Sequence, residues 1–229
     1  MARRKAPALS LFLDGGDPAV ALSRALRGTP VAGLDEAGRG PLAGPVVAAA
    51  CVLPDALPEE LFGLDDSKRL SEGQREALFP MIQERALAFG VAWVEAARID
   101  EVNILRASLE AMAHAFTRCE RRLGAQIHGA VVDGNQRAPL PRRVMQEPIV
   151  EGDGKSKAIM AASILAKVTR DRRMFEEHAR HPIYGFNLHK GYPTPLHLEV
   201  LARVGPCALH RRSFAPVRAA LAAREDGRG

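Results

Sequence analysis

The chain has 229 residues, 47% of them hydrophobic, enough for one domain with a sizeable core. No apolar stretch reaches the ~18 residues a membrane span needs, and the first thirty residues break a short apolar patch with acids and glycines, unlike a secretory leader. The expectation is a soluble, cytoplasmic protein, and a net charge of +5 with a pI near 9.4 permits a polyanionic partner.

Residues 1–30, with Gly15, Gly16, Gly28 and Pro30, read as an N-terminal extension carrying a short helix near 18–26. A strand follows, ending at Asp35 and Glu36, and "PVVAAACVL" (45–53) and "ALAFGVAWVEA" (86–96) are further strand-type runs around a polar, partly helical insert. Residues 100–122 repeat apolar side chains at Ile104, Leu105, Leu109, Met112 and Phe116, a helical period. "IHGAVVDGN" (127–135) is a short strand ending in Asp133, followed by a Pro- and Arg-rich loop. "PIVEGDGKS" (148–156) reads as another strand, ending near Asp153. An Ala-rich helix over about 156–179 stops at His181-Pro182, and the remainder is loop-rich until a last helix near Ser213 or Pro216.

The predicted order is strand, strand, strand, helix, strand, helix, strand, helix. Three strands joined by short links pair as an antiparallel meander, and later strands separated by helices add in parallel through crossovers. The domain is placed at 31–220, with 221–229 as a flexible tail. Cys51, Cys119 and Cys207 are odd in number and scattered, so neither a disulfide framework nor a zinc site is expected. The basic residues are 26 Arg and only 6 Lys, and every lysine except Lys5 lies in a segment singled out on other grounds. That pattern hints at positions wanting a compact point charge.

Asp35, Glu36, Asp133 and Asp153 share one setting, each closing an apolar run just before glycine-rich chain. Strand ends are where sites assemble in a sheet flanked by helices. Neighbouring strand residues face opposite ways, so Asp35 and Glu36 serve one site only if the strand breaks between or right after them; Gly38 and Gly40 offer that break. Four clustered carboxylates repel unless cations sit among them, and oxygen-only ligation suits Mg²⁺ or Mn²⁺. Such clusters commonly hold two ions about 3.5–4 Å apart for in-line phosphoryl displacement. Gly38 to Ala43 also satisfies a relaxed dinucleotide-loop pattern, but Pro41 removes an N–H, the two acids repel a pyrophosphate, and the chain re-enters a strand at Pro45.

The segments "GLDEAGRGPLAGPVVAAACVL", "LDDSKRLSE", "VVDGN", "EGDGKSKAIMAASILAKVTRDR" and "YGFNLHKGYPTPLHLEVLARVGPCALHRRSFAPV" occur in that order. Together they resemble bacterial ribonuclease HII over about residues 31–218. The resemblance implies a ribonuclease H-like mixed sheet flanked by helices with a helical C-terminal region. It further implies a metal-dependent endoribonuclease that cuts RNA–DNA hybrids and nicks 5′ of single ribonucleotides in duplex DNA, leaving a 3′-hydroxyl and a 5′-phosphate. Its four metal-binding carboxylates fall on Asp35, Glu36, Asp133 and Asp153, and its junction-reading Gly-Arg-Gly on Gly38, Arg39 and Gly40.

The family's junction tyrosine falls on Tyr192, although the residues alone leave Tyr184 an equal rival, and a lysine used near the scissile phosphate falls on Lys68. Lys167, Thr169 and Arg170 are candidates to meet the nucleic-acid backbone or to pair along their helix, and "HRRSF" (210–214) is a basic cluster that reads as a candidate phosphate contact. The seven histidines show no metal spacing and read as packing or surface. Glu151 departs from the pattern, standing where the family often has lysine. Nucleic acid is the expected partner, with a monomer needing no obligatory protein partner. Two rivals remain: a binding module of the same fold without chemistry, and a nuclease cutting DNA alone.

Overall fold

Runs of small and β-branched residues set the framework. In the computed structural model, which describes residues 16–226, five strands form one sheet in the order β3-β2-β1-β4-β5. β1 (Val31–Ala37), β2 (Val46–Val52) and β3 (Ala88–Val94) pair antiparallel, and β4 (Gly129–Asp133) and β5 (Met145–Ile149) add in parallel on the other side of β1. The antiparallel meander and the parallel addition match the expectation.

The partly helical insert between β2 and β3 and the short helix before β1 are present as expected, but the insert is no short link, and no helix joins the fourth and fifth strands. β2 reaches β3 through residues 53–87, which hold α2 (Glu72–Arg85), started by a capping box between Ser71 and Gln74. α1 (Pro18–Ala25) precedes the sheet, with Asp17 as its cap. From β4 to β5 the chain crosses without a helix, because Pro139 and Pro141 interrupt residues 134–144. β5 itself ends four residues earlier than expected, so Asp153 follows it in a 3₁₀ turn, Gly152–Gly154, rather than ending a strand. Pro148 is tolerated in β5 because this is an edge strand.

The helix expected over 100–122 is two. α3 (Ala96–Val102) and α4 (Ile104–Leu123) meet at Asn103, whose φ of +71° breaks the helix and whose side chain caps the Arg106 N–H at 3.1 Å. α5 (Lys157–Arg180) follows the expectation closely. The C-terminal region is more helical than its loop-like composition suggests, with α6 (Phe186–His189), α7 (Pro195–Val204) and α8 (Ala215–Asp226). Thr194 caps α7 and Pro195 opens it. The extension at 1–15 and the end of the tail, 227–229, lie outside the described residues.

Strand alternation sorts the core into two layers. Ala32, Leu34, Ala48 and Ala50 face α4 through Ala111, Met112, Ala115 and Phe116. Val47, Ala49 and Cys51 face α5 and α2 through Ala161, Ile164, Leu165 and Ile82. α1 adds Leu22 to Val31, Val131 and Ile159 at the start of β1. Both main helices press straight onto the sheet at glycines. A Cβ on Gly33 would lie 2.2 Å from the Ala158 carbonyl carbon, and one on Gly90 would lie 2.3 Å from the Ala115 oxygen.

Candidate active site

β1 and β4 run parallel, with Leu34 opposite Val132, so their C-terminal ends open on the same edge of the sheet. Asp35 and Asp133 then come side by side on the face that α5 covers, in step with Gly33 and Val131. The turn after β5 brings in Asp153. Asp133 Oδ1 accepts the Gly152 N–H at 2.7 Å and the Asp153 N–H at 3.4 Å, which ties that turn to the end of β4. One carboxylate oxygen from each of Asp35, Asp133 and Asp153 lies within 4.8 Å of the others.

Glu36 stands apart from that triad. β1 continues through Ala37, so Glu36 keeps the opposite phase to Asp35, and the break comes right after, at Gly38 with φ +98°. Glu36 still lines the same cleft and pairs with Arg39 at 3.4 Å.

The electrostatics ask for a cation. Burial first, then the charges of Glu36 and Asp133, hold the Asp35 carboxyl well above the usual carboxylate range. Burial and the Asp153 charge raise Asp133 as well. Glu36 is raised by burial, with Arg39 opposing. Besides Arg39 on Glu36, the triad has its own counter-charge: Lys68 Nζ donates to Asp153 Oδ2 at 2.7 Å, and that bond raises the lysine in turn. Oxygen-only donors, crowding and uncompensated charge fit a hard divalent ion rather than zinc. These residues can hold a metal.

Beside the acids lies a cleft of about 230 Å³ bordered by Gly38, Arg39, Gly40, Lys68, Lys167 and Tyr192. Tyr192 is 42% exposed, and its ring lies 3.5 Å from where a Gly40 Cβ would be. Tyr184 is buried and donates its hydroxyl to the Gly205 carbonyl at 2.8 Å, which removes it as the rival. A larger cavity of about 490 Å³ lies at the opposite end of β1, between Val20, Val31 and Leu53. Among the described residues the acidic triad is not part of it.

Two expected phosphate contacts are scaffold instead. Arg170 is buried, donating to the carbonyls of Pro45, Ala43 and Lys190 at 3.1, 3.2 and 2.9 Å, and its guanidinium lies 5.9 Å from the Tyr192 ring centre. Gly38 is required beneath it, since a Cβ there would meet Arg170 Nε at 2.1 Å. In the 210–214 cluster, Arg211 is fully buried and donates to the carbonyls of Gly44, Arg39 and Gly38 at 3.0, 3.0 and 2.6 Å. The N–H groups of Arg212 and Ser213 bind Asp100. Both arginines thus brace the Gly-Arg-Gly turn from behind, a role that composition does not signal. Lys167 borders the cleft but pairs with Asp171 at 2.6 Å along α5. Thr169 lies on another border, with Phe79 and Trp93. Glu151 is exposed and adopts φ +54°.

A mixed five-stranded sheet with carboxylates gathered at the ends of its parallel central strands is the ribonuclease H-like fold, the framework of a class of metal-dependent nucleases. The chain belongs to the ribonuclease HII family, whose model matches residues 32–217. Ribonuclease HII of Polynucleobacter necessarius subsp. necessarius is 51% identical over 83% of this chain and 95% of its own length. That of Burkholderia vietnamiensis is 54% identical over 83% of this chain and 85% of its own. Among solved structures, the ribonuclease H2 of Pyrococcus horikoshii OT3 superposes with a TM-score of 0.71 at 29% identity, covering 86% of this chain and 99% of that one. Bst-RNase HIII in complex with Mn²⁺ shares the fold, with a TM-score of 0.72 at 18% identity over 92% of this chain and 75% of that one. The chain is accordingly an endoribonuclease of the ribonuclease H class, acting on RNA–DNA hybrids. No described helix is long and apolar enough to cross a membrane.

Proposed function

We propose that Asp35, Glu36, Asp133 and Asp153 hold two Mg²⁺ or Mn²⁺ ions, and that the enzyme nicks 5′ of a ribonucleotide embedded in duplex DNA. The observation carrying this reading is the triad of carboxylate oxygens within 4.8 Å, placed next to a turn with open main-chain donors. When bound, the metal supplies an activated water and stabilises the leaving 3′-oxygen. The protein's share is positioning. Arg211 holds the carbonyls of Gly38 and Arg39, while the N–H groups of Arg39 and Gly40 have no protein partner among the described residues. Those donors suit a ribose 2′-hydroxyl, the one group that tells RNA from DNA at a given site. The half-exposed Arg39 side chain suits a phosphate, and the exposed Tyr192 ring suits stacking on the next nucleotide. Lys68 bridges the acids and the cleft, where it can meet the scissile phosphate.

The test compares duplexes carrying one ribonucleotide, a full RNA–DNA hybrid and all DNA, each with Mg²⁺ or Mn²⁺. Cleavage is expected at the ribonucleotide and not in all-DNA duplex. Asp153→Asn should lower it by roughly 10²–10³-fold, the several kcal/mol that a bound metal contributes to the transition state. Unimpaired cleavage by that variant would overturn the site. Equal cutting of all-DNA duplex would favour a nuclease without ribose selection.

A further inference from the structure

We propose that His197 and His210 are positioning residues, holding Tyr192 in place through an uncharged chain of hydrogen bonds that runs from Cys207 to the Tyr192 carbonyl. The inference rests on the reading that Tyr192 meets the substrate.

Donor and acceptor roles along the chain can be assigned link by link. The Cys207 N–H donates to His210 Nδ1 at 3.1 Å, so that nitrogen carries a lone pair and the His210 proton sits on Nε2. At the other end, His197 Nδ1 lies 2.9 Å from the Tyr192 carbonyl oxygen, which only accepts, so the His197 proton sits on Nδ1. The two Nε2 atoms are 3.0 Å apart. His210 donates there and His197 accepts, and no other neutral assignment satisfies all three links. A proton added to either ring would set two N–H groups against each other or against the Cys207 N–H. Both rings are buried, with Phe186 edge-on to His197 at 5.7 Å. Burial keeps them neutral, pushing His197 down and His210 down to about 3.

A third histidine completes the brace. His189 stacks on His197 with ring centres 4.3 Å apart, donates Nε2–H to the Tyr184 carbonyl at 2.7 Å and accepts the Gly191 N–H on Nδ1 at 3.1 Å. The Tyr192 main chain is therefore held at its N–H by the His189 carbonyl at 2.9 Å, and at its own carbonyl by both Thr194 N–H and His197. Gly191, with φ +84°, lets this loop close on Ala43, whose oxygen would lie 2.5 Å from an added Cβ. Only the tyrosine ring is left to face the cleft. Misplacing a positioned group by about 1 Å can cost ~10²-fold in rate, which gives such a brace its value.

The experiment uses the full chain and four variants: His197→Phe, His197→Asn, Tyr192→Ala, and His197→Phe with Tyr192→Ala. Readouts are kcat and KM on a single-ribonucleotide duplex, the melting temperature, and ¹⁵N spectra of the histidine rings. His197→Phe removes the donor and should lower kcat/KM by about 10–100-fold. His197→Asn, whose amide nitrogen stands near Nδ1, should restore it to within a few-fold. In the Tyr192→Ala background, His197→Phe should add nothing further. Where the larger ring impairs folding, His210→Leu breaks the chain one link earlier with the same expectations. An equal loss with and without Tyr192, or an Asn variant as impaired as the Phe variant, overturns the proposal. Tyr192→Ala with unchanged kinetics refutes the substrate reading, and the positioning role with it. The ring spectra judge the chain of bonds separately: protons on His210 Nε2 and His197 Nδ1 support it, and the opposite tautomer at either ring overturns it.

Discussion

Asp35 is buried beside two other carboxylates, with its own Oδ1 already accepting the Glu36 N–H at 2.7 Å. Removing its charge while keeping its shape should therefore stabilise the metal-free protein and abolish cleavage together. Asp35→Asn retains an oxygen for the Glu36 N–H and relieves repulsion from Glu36 and Asp133. Its melting temperature without metal at pH 7 is expected to exceed wild type by about 2–4 °C for each kcal/mol of repulsion removed. Saturating Mg²⁺ should then raise wild type and leave the variant nearly unmoved, because the ion binds the folded acids only where their charge is intact. A variant that melts below wild type without metal would show that the site is already balanced, by Lys68 or by other cations. The lysines make that balance concrete. Lys68 pairs with Asp153 and Lys167 with Asp171, while Lys155 and Lys157 donate to the Val150 and Leu64 carbonyls and Lys190 to that of Asn187. Lys68 and Lys155 thereby pin the turn that carries Asp153.

At the scale of elements, what matters is how closely the helices seat on the sheet. Gly33 and Gly90 are sequence-distant but play the same part on opposite faces, under α5 and α4. An alanine at either should cost about 1–3 kcal/mol or more by overpacking. Their effects on function should diverge. Gly33→Ala lifts α5 beside Ser163 and Lys167 and two residues before Asp35, so kcat should fall in the fraction that remains folded. Gly90→Ala shifts α4 on β3, away from the acids, and should lower stability with kcat kept. Urea melts and active-fraction-corrected kinetics distinguish the two; equal kcat in both would mean that the seat of α5 does not set the site. These contacts also explain which elements could be read from sequence. β1, β2 and β4 announce themselves as buried apolar runs, and α5 as a long Ala-rich stretch. β5, Met-Gln-Glu-Pro-Ile, hides because an edge strand is half-wet and admits proline. Asn103 splits one apolar period into two helices by a positive φ that no periodicity records. In the candidate site, one strand-end rule pointed to Asp35, Glu36, Asp133 and Asp153 alike, and Asp153 joins Asp35 and Asp133 although it lies in a turn past its strand. Buried arginines were not legible, since nothing in the letters of Arg170 or Arg211 separates a brace from a surface phosphate ligand. The histidine chain was hidden for a similar reason: His197 and His210 are thirteen residues apart and meet only through tertiary packing.

For the molecule as a whole, the buried histidines set how stability responds to acid. In the unfolded chain each titrates near 6.5. In the folded chain burial pushes His189 and His197 down and His210 down to about 3, with Lys190 and His181 adding to the same direction and Glu177 lying near Cys207. Between those values the unfolded state binds more protons than the folded one, so stability rises with pH across that window. The contribution is complete above about 6.5 and drains as pH falls below it. The raised carboxyls Asp35, Glu36 and Asp133 act with the opposite sign, favouring the folded state as they protonate. Comparing wild type with His210→Leu separates the two, because the acids are common to both proteins. Urea unfolding from pH 4 to 8 should give a wild-type curve that is steeper below pH 6.5, by up to about 1.4 kcal/mol per pH unit for the one histidine removed. Above pH 7 the two curves should run parallel. Parallel curves over the whole range would mean that His210 takes up its proton in the folded state as readily as in the unfolded one, and that the packing around it opens to acid without cost.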